Sequence, residues 1–185
     1  ALIGEHLWAK GHRRFAFISG EARSINREER LSGFLEALAR HGVDRRNVEV
    51  WPRGLRSQAL GDDDLAEVGY RAARQILHAS SRRITAIATV NDLLAIGAYR
   101  GVRDEGLEVG ADIAIVGFDD IFLAELVQPT LTTVHQPLDK MAEITVSRLV
   151  TMIDTPDAAP DASVRLAPRL VERESTAARI RPAKP

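Results

Sequence analysis

The sequence predicts an α/β fold in which a parallel sheet is covered by helices on both faces. Three observations carry this. Short apolar runs rich in β-branched residues, such as 84–90 and 113–116, alternate along the chain with longer stretches whose apolar residues recur every three or four positions. The runs are continuous rather than alternating polar with apolar, as expected of strands buried on both faces. Polar pairs follow the runs directly, Asn91 with Asp92 after one and Asp119 with Asp120 after another. In a parallel sheet such ends lie on one side, so residues distant in sequence are gathered into one crevice.

The elements follow in order. Leu2, Ile3, His6 and Leu7 recur at helical spacing, and Gly11 stops that helix. Residues 14–18 form the first strand, and Ser19 and Gly20 open a polar loop that ends near Ser24 or Asn26. A helix over 27–41 presents Leu31, Phe34, Leu35 and Leu38 on one face and ends at Gly42. Residues 48–51 are a short strand, and 52–64 an irregular stretch with three consecutive acids. Leu65, Val68, Ala72 and Ile76 mark the next helix, which Asp63 or Asp64 can cap. Strand 84–90 leads through Asn91 and Asp92 into helix 93–103, closed by Gly106. Strand 113–116 ends at Gly117, and strand 131–134 leads to Gln136 and Pro137. These open a helix with Leu138, Met141, Thr145, Leu149 and Met152 on one side. Residues 155–161 read as loop, 166–171 as an edge strand interrupted by Pro168, and the tail 177–185 as disordered.

Composition narrows function. A chain of 185 residues suffices for one sizeable core or two small lobes, and its 45% hydrophobic and 28% charged shares are those of a soluble domain. Neither a transmembrane run nor a signal-peptide pattern occurs, and a cytoplasmic protein without membrane partners is expected. A formal net charge of -1 argues against nucleic-acid binding through this surface. Cysteine is absent, which removes thiol chemistry and disulfides, and the five histidines lack the spacing of a metal site. No metal or cofactor is expected. Nor is an enzyme, since a Gly-rich phosphate loop and a Gly-x-Ser-x-Gly elbow are missing.

The motifs GHRRFAFISG, Arg30 followed after two residues by Gly33 and Phe34, TVNDLLAIGA, GADIAIVGFDD and PTLTTVHQP resemble, in order and spacing, the LacI/GalR family of bacterial repressors. The resemblance runs from about Leu2 to Ser175. It implies a periplasmic-binding-protein-like type I fold of two lobes, with the amino-terminal lobe incomplete in this chain. On that reading 1–22 belong to the amino-terminal lobe, 23–134 to the carboxy-terminal lobe, 135–155 to a helix returning to the first lobe, and 156–176 to a final strand region of the second. It also implies that a helix-turn-helix headpiece, a hinge helix and several βα units precede such a core.

By the same resemblance the effector contacts are Arg30, Asn91, Asp119 and Gln136, together with Asn26. A further family contact is often aromatic, and its position is held here by Asp64, so sugar identity does not transfer. Ala142 replaces a common Gly and Gly110 a common Pro. The residues also permit plainer roles: Asn91 suits a helix cap, Asp119 and Asp120 an Asx turn, Gln136 a helix start and Arg30 a solvated helix face. An Arg fork facing a carboxylate nevertheless supplies the donors and acceptors that hold a polyhydroxylated ligand. The expected function is a ligand-sensing core that binds a sugar or related polar metabolite, forms a homodimer, and acts on operator DNA only through the headpiece. An extracytoplasmic sugar-binding protein of the same fold is the alternative.

Overall fold

A computed structural model of the chain describes residues 1–19, 24–51, 62–79, 84–155 and 163–177, with backbone only for 62–64. In order the elements are α1 (Leu2–Ala9), β1 (Phe15–Ile18), α2 (Ile25–Arg40), β2 (Val48–Trp51), α3 (Asp62–Ala79), β3 (Ala86–Thr89), α4 (Asp92–Asp104), β4 (Ala114–Val116), α5 (Leu123–Leu126), β5 (Thr133–His135), α6 (Leu138–Asp154) and β6 (Arg169–Val171). The expected alternation of strands and helices is borne out.

Four strands form a parallel sheet in the order β2-β1-β3-β4. Every residue of β1, β3 and β4 is buried, which is why these strands read as unbroken apolar runs. Phe34 of α2 packs against Phe15 and Phe17 of β1, with ring centroids 6.2 and 5.3 Å apart. Helices α3 and α4 touch backbone to backbone. A methyl group on Gly97 would lie 1.8 Å from the Ala66 carbonyl oxygen, and one on Gly69 2.1 Å from that of Leu94.

Beyond β4 the sheet continues in a different form. The amides of Gly117 and Asp119 donate to the carbonyls of Thr132 and Val134 at 2.9 and 3.0 Å, which lays the segment around β5 alongside the end of β4. On its other side β5 pairs antiparallel with β6. The last described turn is wired into this seam: Ser175 Oγ donates to the Ile115 carbonyl at 2.6 Å and accepts from the Thr132 amide at 2.8 Å. Thr176 Oγ1 lies 2.9 Å from both Thr132 Oγ1 and Nε2 of His6 on α1.

Several sequence expectations are corrected. Residues 1–22 were expected in a different lobe from 23–134, yet β1 is an internal strand of the same sheet as β2 and β3, and Ile3 and Leu7 of α1 join its core. Helix α2 starts at Ile25 rather than 27, because Ser24 caps it by accepting from the Arg27 amide. Helix α3 begins at Asp62, so Asp63 and Asp64 lie within its first turn instead of capping it, a position where acids suit the helix dipole. The edge strand shrinks to Arg169–Val171, since Pro168 has no amide to donate. Expectations for 20–23, 52–61, 156–162 and 178–185 fall outside the described residues. Helix α6 is amphipathic as read, but none of its residues is buried, and Leu138, Met141, Leu149 and Met152 are exposed.

Candidate functional site

Arg30 stands in the second turn of α2 and reaches towards the carboxyl ends of β3 and β4. Its guanidinium carbon sits 3.7 Å from the ring centroid of Phe118, in cation–π geometry. Nη1 donates to the Val90 carbonyl at 2.6 Å, and Nη2 lies 3.5 Å from Asp119 Oδ1. The same Asp119 oxygen accepts from Gln136 Nε2 at 2.8 Å. Three residues from α2, the loop after β4 and the segment after β5 thus meet at one carboxylate.

Burial pushes the Asp119 carboxyl up to about 6, reinforced by the nearby Asp92 carboxylate, although Arg30 and Gln136 pull it down. Burial likewise lowers the Arg30 guanidinium from its ordinary range. The pair is therefore held in a partly desolvated setting where hydrogen bonds from a ligand count for more. Two cavities flank Phe118. One of about 300 Å³ lies between Gln136, Pro137, Met141, Ile144 and Leu166. The other, about 290 Å³, is bounded by Arg30, Phe17, Phe34, Thr89 and Val134.

Asp92, read from sequence as part of the crevice, turns inward instead. It is 1% exposed, accepts from Thr133 Oγ1 at 2.6 Å and from the Ile121 amide at 2.9 Å, and burial raises its pKa. Those bonds tie the start of α4 to β5 and to the loop that carries Asp119. A side chain at position 117 would collide with this carboxylate, so the turn after β4 requires Gly117.

Of the six residues singled out in the sequence, the structure brings together Arg30, Asp119 and Gln136. Asn91 is one residue from the carbonyl that holds Arg30, and its side chain caps α4 by accepting from the Leu94 amide at 3.0 Å. Asn26 is exposed, one turn before Arg30 on the same face of α2. Asp64 lies in α3, and its side chain is outside the described residues. Sequence reasoning missed Phe118 as the platform for Arg30, though it stands inside GFDD, and it missed the inward role of Asp92. Among the described residues no group of three or more His, Asp or Glu is arranged to hold a metal ion.

The chain has relatives. A profile of the periplasmic binding protein-like domain matches residues 5–176. The chain belongs to that family. Within the periplasmic binding protein-like family it is homologous to LacI-family regulators over the effector-binding region, as the sequence motifs implied. It is 35% identical, over 95% of its length, to the HTH-type transcriptional repressor PurR of Erwinia tasmaniensis, and 36% identical, over 94%, to the ribose operon repressor of Escherichia coli. It covers 48% and 49% of those proteins, so the chain spans about half the length of the curated relatives it matches. Among solved structures it resembles a LacI family transcriptional regulator from Enterococcus faecium with bound ribose, at a TM-score of 0.81 and 29% identity over 95% of this chain and 61% of that one. A dimeric Lac repressor gives a TM-score of 0.78 at 30% identity, over 95% of this chain and 59% of that one.

Proposed function

We propose that this chain is the effector-sensing part of a bacterial transcriptional regulator of the LacI/GalR type. A small polar molecule, a sugar or sugar derivative, binds against Arg30, Asp119 and Gln136, with Asn91, Asn26 and Asp64 at the periphery. The observation that carries the reading is the single carboxylate of Asp119, met from two sides by a guanidinium and an amide. Such a cluster offers fixed donors and acceptors to hydroxyl groups. The ribose bound to the Enterococcus faecium relative and the name of the ribose operon repressor support a sugar.

Helix α6 and the residues around it, 135–155, face a second lobe in the whole regulator, which accounts for apolar side chains such as Val146, Leu149 and Met152 lying exposed. The regulator works in the cytoplasm as a homodimer, and the effector biases one lobe arrangement over another only by its differential affinity for the two. Operator DNA is bound by a headpiece rather than by residues 1–185, whose formal net charge of -1 offers little phosphate neutralisation. No helix among the described residues is long and apolar enough to cross a membrane. The chain has no catalytic role in this reading.

The test is a thermal-shift screen of the regulator carrying both lobes, with D-ribose, other pentoses and hexoses, and purine bases. A cognate effector at a hundred times its Kd raises stability by about 2.7 kcal/mol. If no compound shifts the parent more than a variant lacking Arg30 and Asp119, the site reading fails.

A further inference from the structure

Asp119 and Asp120 are neighbours in sequence whose carboxylates serve different partners. Asp119 meets Arg30 and Gln136, whereas Asp120 meets His135 and Arg173. Backbone φ angles of 120° and 57° at the two residues, both in a region that side chains seldom occupy, accompany this divergence.

The Asp120 contacts reach the end of β5 and the segment that follows β6. Its Oδ2 lies 2.9 Å from His135 Nδ1 and its Oδ1 lies 2.8 Å from Arg173 Nη2. Its amide approaches Thr133 Oγ1 at 3.4 Å. His135 ends β5 and is followed directly by Gln136. Arg173 stands just past β6, and its Nη1 donates to the Leu131 carbonyl at 3.0 Å, just ahead of β5. The Asp120 and Arg173 side chains are 12% and 13% exposed, so solvent screens the pair little. Burial alone would raise the Asp120 carboxyl, but Arg173 and His135 outweigh it and hold the group below the usual carboxylate range. Asp120 is therefore an ionised anchor gripping the strand that delivers Gln136.

We propose that Asp120 is a positioning residue of the ligand cleft: by clamping His135 it sets the backbone from which Gln136 reaches Asp119. The proposal deepens the effector-site reading and rests on it for the role of Asp119 and Gln136. Its test involves no ligand.

The measurement is a carbon-13 NMR titration of the Asp119 side-chain carboxyl in the 185-residue chain, where the parent midpoint is expected at about 6 because burial raises it. In Asp120→Asn, release of Gln136 deprives the Asp119 carboxylate of a donated hydrogen bond, and the midpoint should rise by about one pH unit. Loss of a neighbouring negative charge acts in the opposite direction, so the sign separates positioning from simple electrostatics. His135→Ala keeps both carboxylates and should give the same rise. Adding Gln136→Ala to either variant should then raise the midpoint no further, because that bond is already lost. Amide spectra identify the folded variants, and His135→Ala decides alone if Asp120→Asn does not fold. A rise in each folded variant supports the proposal, and a midpoint that stays or falls in any of them overturns it. Failure to bind sugars leaves this outcome unchanged, so the two readings fail separately.

Discussion

A methyl group placed on Gly117 would sit 2.0 Å from Oδ1 of Asp92, well inside van der Waals contact. The glycine and the buried carboxylate therefore share one space, and the loop carrying Asp119 can turn away from β4 only because no side chain occupies it. Gly117→Ala should displace Asp92 from Thr133 and the Ile121 amide, at a cost of about 2 to 4 kcal/mol. Urea unfolding with an unchanged m-value would register this loss. A variant within about 0.5 kcal/mol of the parent would show that the loop yields freely.

Packing of α3 on α4 makes a second demand. With carbonyl oxygens where the Cβ atoms of Gly69 and Gly97 would lie, neither helix can retreat without opening the core around Ala72, Ala73 and Ala98. Gly97→Ala should destabilise by about 3 kcal/mol or more, against the fraction of a kcal/mol gained by Gly→Ala in an uncrowded helix. A melting temperature equal to or above the parent's would contradict it.

Asp119→Ala should weaken binding of an identified effector by roughly ten- to a hundredfold, since a charged acceptor contributes on the order of 1.5 to 3 kcal/mol. Gln136→Ala should cost about tenfold or less, as it removes a neutral group. Calorimetry on folded protein with both lobes gives the ranking, and a larger loss in Gln136→Ala would reverse the assignment.

The raised pKa of Asp119 has its own sign. A carboxyl that titrates at about 6 when folded binds more protons than the unfolded chain between about 4 and 6, so stability falls as pH rises through that window. Asp119→Asn stays neutral throughout. It should be more stable than the parent by on the order of 2 kcal/mol at pH 7.5 and lose the advantage below about pH 4. Unfolding curves at the two pH values settle the point.

His12 acts in the opposite sense. It is 3% exposed, its Nδ1 lies 3.1 Å from Thr85 Oγ1, and burial lowers its pKa to about 4. The unfolded chain then binds the extra proton between about 4 and 6.5, so this contribution is present above pH 6.5 and is lost as pH falls through the window. His12→Gln should flatten the acid limb of the stability profile by on the order of 3 kcal/mol at most. An unchanged limb would place the proton elsewhere.

Much of this was legible in the sequence because burial on both faces leaves a strong imprint. Residues 15–18, 86–89 and 114–116 have no polar outer face to present, and Asn91 and Asp119 could be placed at their ends without coordinates. Ser24 was harder, since a polar stretch from Ser19 to Asn26 offers several caps and only geometry chooses one. The carboxylate facing Arg30 was expected, but the Phe118 ring beneath it was invisible, because an aromatic ring under a guanidinium leaves no periodic signal. The place of β1 beside β2 and β3 also lay beyond the sequence: strand order follows from long-range pairing, and the family resemblance assigned residues 1–22 by lobe rather than by neighbour.

The bonds of Ser175 impose an order on synthesis. Ribosomes deliver β1, β3 and β4 early, but the Ile115 carbonyl and the Thr132 amide wait for a hydroxyl that emerges more than forty residues after Thr132. His6, which precedes both, waits longer still for Thr176. The nascent sheet thus carries open polar groups beside an apolar core until Ser175 and Thr176 emerge, an interval in which chaperones meet it. Truncation before Ser175 would make that interval permanent, and degradation rather than a shortened sensor is the expected fate of the product.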